Sequence, residues 1–246
     1  MTFDLQKILD ILNYISFKEG TGNTFTQNEY NTMLPVASQM LFNRLYSDFE
    51  KRQAFTDALL PFKKFMGQDE YVNNGVIIPA IPPLFIDSSG YAPIPDDYVH
   101  YSAIQYKKVT NKPNCELKVS HRKVIPVTDQ QFDAYDNYWS VKHASHSYPV
   151  CNFQNGFIRF IPKNLQYVNF VYLRKPVVPF YGGAIDQVND VFVYDPLLSV
   201  QLEWRNPEII EIIGLLASQI GINLTNTQLF QYAEMVGKEE VINKSK

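Results

Sequence analysis

Four groups of residues in this chain carry side chains that could do chemistry. His143-Ala144-Ser145-His146, with His121 upstream and Cys151 downstream, gathers the types that ligate transition metals. The two nearest histidines stand three apart on a Ser-rich loop ahead of Pro149. That loop lacks the second cysteine pair or helical acid of a zinc pattern, so no metal site is expected. Asp96-Asp97 could be paired carboxylates for acid–base work, but between Pro93-Ile94-Pro95 and Tyr98 the pair fits a turn or cap. Gly20-Thr21-Gly22-Asn23-Thr24-Phe25 begins like a dinucleotide fingerprint, yet it ends in Phe and follows a helical pattern instead of a strand. Tyr98, Tyr101, Tyr106, Lys107, Lys108 and Lys112 interleave aromatics with base, as single-strand binders do. Period-two alternation accounts for them as a strand with one wet face. The sequence contains neither a Walker lysine nor a Gly-x-Ser-x-Gly elbow. The expectation is therefore a protein without catalytic residues, metal or cofactor.

The elements that would position these groups follow a helix, strand, helix order. Leu5, Ile8, Leu9, Leu12 and Ile15 recur at helical spacing and predict a helix over 4–18. Thr26-Gln27-Asn28-Glu29 is a capping box opening a second helix whose apolar face is Tyr30, Leu34, Ala37, Leu41 and Leu45. Pro35 within that face predicts a kink or early end. A third, weaker helix is expected over 51–64. From Gly75 to Phe160, short runs rich in Val, Ile, Tyr and Phe, punctuated by Pro and Gly, predict strands. A short helix is expected at Thr128 to Tyr135, and a turn at Asn155-Gly156. Gly182-Gly183 and Val191-Phe192-Val193-Tyr194 mark a further hairpin.

Beyond Tyr172-Leu173-Arg174, Pro176 and Pro179 end any sheet and predict an exposed connector. Asn206-Pro207-Glu208 then restarts a helix, with Asn206 as cap and Pro207 at the first helical position. Ile209, Ile210, Ile212, Ile213, Leu215, Leu216 and Ile220 cover too wide an arc for a surface helix, so burial by a neighbouring subunit is expected to contribute. Gly221 ends this helix, and Thr225-Asn226-Thr227-Gln228 caps another carrying Leu229, Tyr232, Ala233 and Val236. The fold class is thus α+β: a bundle of N- and C-terminal helices with a sandwich- or barrel-like middle. The parts are 1–66, 67–203 and 204–246. Trp204 and Pro207 are the expected structural anchors, Trp204 at the junction of the β part and the last helices.

Composition narrows the partners. A net charge of −3 over 246 residues disfavours a sequence-independent grip on nucleic acid. The longest apolar run is too short for a membrane span, and the amino terminus lacks a basic n-region, so a cytosolic protein is expected. Two cysteines, Cys115 and Cys151, make no disulfide framework and suit a reducing compartment.

Taken in order, Thr26-Gln27-Asn28-Glu29 to Leu41-Phe42-Asn43, Ile94-Pro95-Asp96-Asp97-Tyr98, Tyr148-Pro149-Val150, Asn155-Gly156 to Ile161-Pro162, Tyr172-Leu173-Arg174-Lys175-Pro176, Glu203-Trp204 and Gly221-Ile222-Asn223-Leu224 form a set. This set resembles a family of structural proteins in tailed bacteriophages of the crAss-like group. That family is similar to the adaptor, or head-completion ring, proteins of short-tailed phages. The resemblance implies a virion protein assembled in the host bacterial cytoplasm, forming a dodecameric ring beneath the portal. It implies as partners further copies of itself, the portal, other ring or tail proteins, and genome DNA passing through the channel without sequence-specific binding. No membrane is implied. The expected subunit or portal contacts are Ile209, Ile213, Leu216, Leu229, Tyr232, Val241 and Ile242, the last two on a charged tail that orders against a partner. The alternative is a non-catalytic binding module or a carbohydrate-recognising tail component using exposed Tyr and Trp.

Overall fold

The computed structural model describes residues 3–18, 25–69, 71–73, 76–78, 80–110, 118–137, 143–186, 191–222, 228 and 231. In chain order the helices α1 (Leu5–Lys18), α2 (Gln27–Tyr46) and α3 (Gln53–Ala58) come first. Strands β1 (Lys63–Met66), β2 (Tyr71–Asn73), β3 (Val76–Ile78), β4 (Leu84–Phe85), β5 (Tyr91–Pro93), β6 (Tyr98–Thr110), β7 (Lys118–Lys123) and β8 (Ile125–Pro126) follow. Helix α4 (Asp129–Asp136) precedes β9 (Val150–Gln154), β10 (Phe157–Ile161) and β11 (Tyr167–Arg174). A hairpin of β12 (Gly183–Asp186) and β13 (Val191–Tyr194) leads to α5 (Asn206–Gln219). The fold is α+β. It divides into two compact units, Met1–Pro61 with Pro176–Lys246, and Phe62–Lys175. The boundaries thus differ from those read in sequence: the segment after Pro176, including the β12–β13 hairpin, belongs with the helices.

The helical unit is built from three apolar stripes. Leu5, Ile8, Ile11, Leu12 and Ile15 of α1 are fully buried, as are Tyr30, Leu34, Ala37 and Leu41 of α2. The Thr26 capping box forms as expected, Thr26 and Glu29 satisfying each other's backbone donors. Pro35 does not break α2, which runs unbroken from Gln27 to Tyr46; burial of the stripe on both sides of the proline outweighs the one lost hydrogen bond. Helix α5 packs on both α1 and α2. It starts one residue earlier than expected: Asn206 is already helical, Arg205 is the cap without a side-chain bond, and Pro207 sits in the first turn. It ends at Gly221 (φ +83°), where Ile222 N–H donates to Ala217 O at 2.9 Å and Gly221 N–H to Ser218 O at 3.1 Å. That is a Schellman closure, with buried Ile222 as its apolar contact.

The second unit is a two-sheet sandwich. One sheet runs β1-β11-β6-β7 with β4 also on β11; the other runs β5-β10-β9-β8, all antiparallel except β8 on β9. A shared core takes Leu84, Ile104, Val168, Phe170 and Tyr172 from the first sheet and Ala92, Cys151, Ile158 and Phe160 from the second. The second sheet is buried on its other face too, where Phe132 of α4 meets Val150 and Ile161. The short helix expected at Thr128 to Tyr135 is α4, and it carries a capping box, Thr128 with Gln131. The helix expected over 51–64 shortens to α3, because Lys63–Met66 pairs with Phe170 to Leu173 of β11 as a strand. The tight turn at Asn155-Gly156 forms with Gly156 at φ +81°.

Strand β6 corrects a simple reading of its aromatics. Val171 faces Ala103 and Tyr172 faces Tyr101, skipping Ser102; Leu173 faces His100 and Arg174 faces Tyr98, skipping Val99. Each skipped residue is a bulge, and each shifts the alternation by one. Tyr98 and Tyr101, three apart, therefore join Ile104 and Tyr106 against the core. Tyr98 stacks on Phe153 and Phe170, and Tyr101 on Phe153 at 5.2 Å between ring centres.

Candidate functional site

The residue groups that open the sequence do not converge. His121 and His143 are exposed, His146 is half-buried with its ring 6.1 Å from that of Tyr106, and Cys151 lies in the sandwich core. Burial pushes the Cys151 thiol up to about 12, which leaves it an inert packing group. Among the described residues no three His, Cys, Asp or Glu side chains gather as metal ligands. Gly20 to Thr24, Lys112 and Cys115 lie outside the described residues, as do Leu229, Tyr232, Val241 and Ile242.

Asp96 and Asp97 do not act as a pair. Asp97 alone turns inward, accepting from the Tyr172 hydroxyl at 2.8 Å and from Lys64 Nζ at 3.2 Å, while its carbonyl takes Lys175 N–H at 2.7 Å. Burial raises the carboxyl, yet the bonds from Tyr172 and Lys64 outweigh it and hold Asp97 below the usual carboxylate range. A folded-state value below the unfolded one gives stability that is present above the unfolded carboxyl pKa of ~3.9 and is lost as pH falls through the folded value. Tyr172→Phe removes the largest of the lowering bonds, so it should cost about 1–2 kcal/mol at neutral pH. It should also flatten the acid side of the stability profile. Urea midpoints measured from pH 7 to pH 3 check this: parallel wild-type and variant profiles would remove Asp97 from the acid sensitivity.

The apolar helix positions are used inside the protomer. Ile209, Ile213 and Leu216 are 3%, 1% and 0% exposed, filled by α1 and α2. This corrects their expected place on a subunit interface: α5 is the central piece of its own unit, which is why nearly its whole circumference is apolar. Of its two charged residues, Glu208 lies in the first turn beside Arg205, and Glu211 faces outward and pairs with Arg44 of α2. Trp204 is buried as an anchor, but onto α2, its indole Nε1 donating to Ser38 Oγ at 2.9 Å.

Apolar surface that finds no cover within the protomer concentrates instead on the arm between Val177 and Val200. Val178, Ile185, Val193, Leu197 and Leu198 are 68%, 62%, 55%, 93% and 56% exposed. The arm is held firmly at its root. Tyr181 N–H donates to Asn31 Oδ1 at 2.7 Å, and Asn31 Nδ2 with Gln27 Nε2 donate back to Tyr181 O at 3.1 and 3.0 Å. The Asn31 amide thereby serves as a strand partner supplied by a helix. The Tyr181 hydroxyl bonds Gln6 Oε1, and its ring stacks on Tyr194 at 4.9 Å and meets Tyr30 edge-on at 5.4 Å. Burial, then the nearby Asp10, raises the Tyr181 phenol to about 12, so it stays a neutral donor. Gly182 is required there, since a Cβ would stand 2.1 Å from Leu198 O. Asn31→Ala should cost about 1–3 kcal/mol by stranding the Tyr181 amide. A thermal melt reads this, and an unchanged midpoint would show that the arm's root is held by the rings alone.

The arm escaped the sequence reading as a site, although its signal was present: Val177-Val178 and Leu197-Leu198 are apolar pairs beside Pro179 and Pro196. Comparison of the chain with protein-family models finds no match, and comparison with curated proteins finds none either.

Proposed function

We propose that this protein is a virion structural protein, a head-tail adaptor that forms a ring beneath a portal and does no catalysis. The observation that carries the reading is the rigidly rooted, exposed apolar arm at Val177 to Val200, on a unit whose helices already satisfy one another. Exposed apolar surface of this kind is maintained for a partner. The partner here is the next copy of the same chain. An arm on one subunit docking on a different surface of the next is a heterologous contact, and such contacts close into rings when the rotation allows. The ordered set of motifs resembling phage ring proteins supplies the setting: portal on one side, tail proteins on the other, and genome DNA passing through an acidic protein that does not grip it. The test is the copy number of this chain in purified particles. Quantitative mass spectrometry should give as many copies as portal subunits, and one or a few copies per particle would overturn the ring.

A further inference from the structure

The sandwich unit carries a second surface, independent of the arm and of the ring reading. Strand β4 lies on β11 with Phe85 directly opposite Tyr167 and Leu84 opposite Val168. Leu84 and Val168 face the core, so the strand pleat turns Phe85 and Tyr167 outward side by side, 70% and 37% exposed. Three open hollows of about 580, 330 and 300 Å3 all include Tyr167 in their walls. Two of them share Asn164 and Gln166, and two share Lys107, so the three adjoin around Tyr167 as a trough of neighbouring hollows, with Phe85 on the wall of the largest. Its rear wall is fixed: Asn169 presses on Gly67, where a Cβ would stand 2.2 Å from the amide oxygen.

We propose that this trough binds an uncharged oligosaccharide. A pyranose offers one C–H face that matches a flat aromatic ring, and a rim of hydroxyls that both donate and accept. The exposed aromatic pair supplies the first contact. The side-chain amides of Asn164 and Gln166, each donor and acceptor in one planar group, supply the second. Charge separates a sugar from the nucleic acid that aromatic platforms also bind. Among the described residues, the walls carry Asp69 and Asp87 against one cation, Lys107, which already lies 4.0 Å from Asp69, so a phosphate backbone meets net repulsion. The open length of the trough suits a polymer segment better than a small enclosed ligand.

The test presents the full chain to an array of neutral glucan, mannan, galactan and N-acetylglucosamine oligomers, with a roughly twenty-nucleotide poly-dT as the anionic probe. At least one glycan series should bind, more tightly with length. Phe85→Ala and Tyr167→Ala should each weaken that binding about tenfold or more, while Tyr167→Phe retains it. Asn164→Ala, on an exposed turn, should weaken it several-fold and decides the matter if an aromatic variant fails to fold. Binding to none of the glycans overturns the proposal, as does binding that these substitutions leave unchanged. So does capture of poly-dT that is lost in Tyr167→Ala, which would assign the trough to single strands instead.

Discussion

Replacing Trp204 by alanine is expected to lower the stability of the helical unit by about 3–5 kcal/mol, the range for emptying a large aromatic site in a packed core. The indole is 5% exposed and its Nε1 is hydrogen-bonded to Ser38, itself 2% exposed, on the inner face of α2. Truncation therefore opens a cavity and removes the donor to a buried hydroxyl at the same time. Trp204 also stands two residues before the start of α5, so the cavity opens where that helix is set against α2. The melting midpoint should drop by roughly 10 °C or more. Trp204→Phe keeps most of the bulk and should lose only about 1–2 kcal/mol, mainly through Ser38. Equal losses in the two variants would show that the hydrogen bond, not the packing, carries the anchor.

Charging the arm should act on assembly and leave the protomer alone. Ile185→Asp together with Leu197→Asp places two carboxylates on side chains that are 62% and 93% exposed. Neither substitution empties a core position, so the melting curve should move by less than about 0.5 kcal/mol. At an interface the same carboxylates would be buried without partners, which weakens association by about a hundredfold or more. Sedimentation at matched concentrations reads the effect. A variant that assembles as the wild type does would clear the arm of any part in the contact.

Most of the helical plan was legible because its signals are local. The Thr26 capping box, the α1 stripe and the Gly221 stop each depend on residues within one or two turns. What the local pattern could not carry is the identity of the partner. The breadth of the α5 apolar face was visible, but one helix read alone does not tell whether its cover comes from α1 and α2 or from another subunit. The expected helix runs on into Lys63 and Lys64 because the partner of β1, strand β11, lies more than a hundred residues away in sequence. The β6 aromatics were misaligned by bulges at Val99 and Ser102, which no periodicity announces. Asp97 with Tyr172, and Phe85 with Tyr167, are meetings made by sheet register alone. The arm lies between: its apolar pairs were visible, but their exposure is known only once the helices are seen to be full.

The proposed closure of this chain into a ring through the arm between Val177 and Val200 is tested most directly by native mass spectrometry of the intact protein across a concentration series, alone and with the proposed portal partner. A closed ring predicts one dominant assembly at a fixed multiple of the protomer mass, with few intermediates and no growth beyond it, and its loss in the Ile185→Asp, Leu197→Asp variant. A protomer mass at every concentration, with and without portal, would contradict the claim.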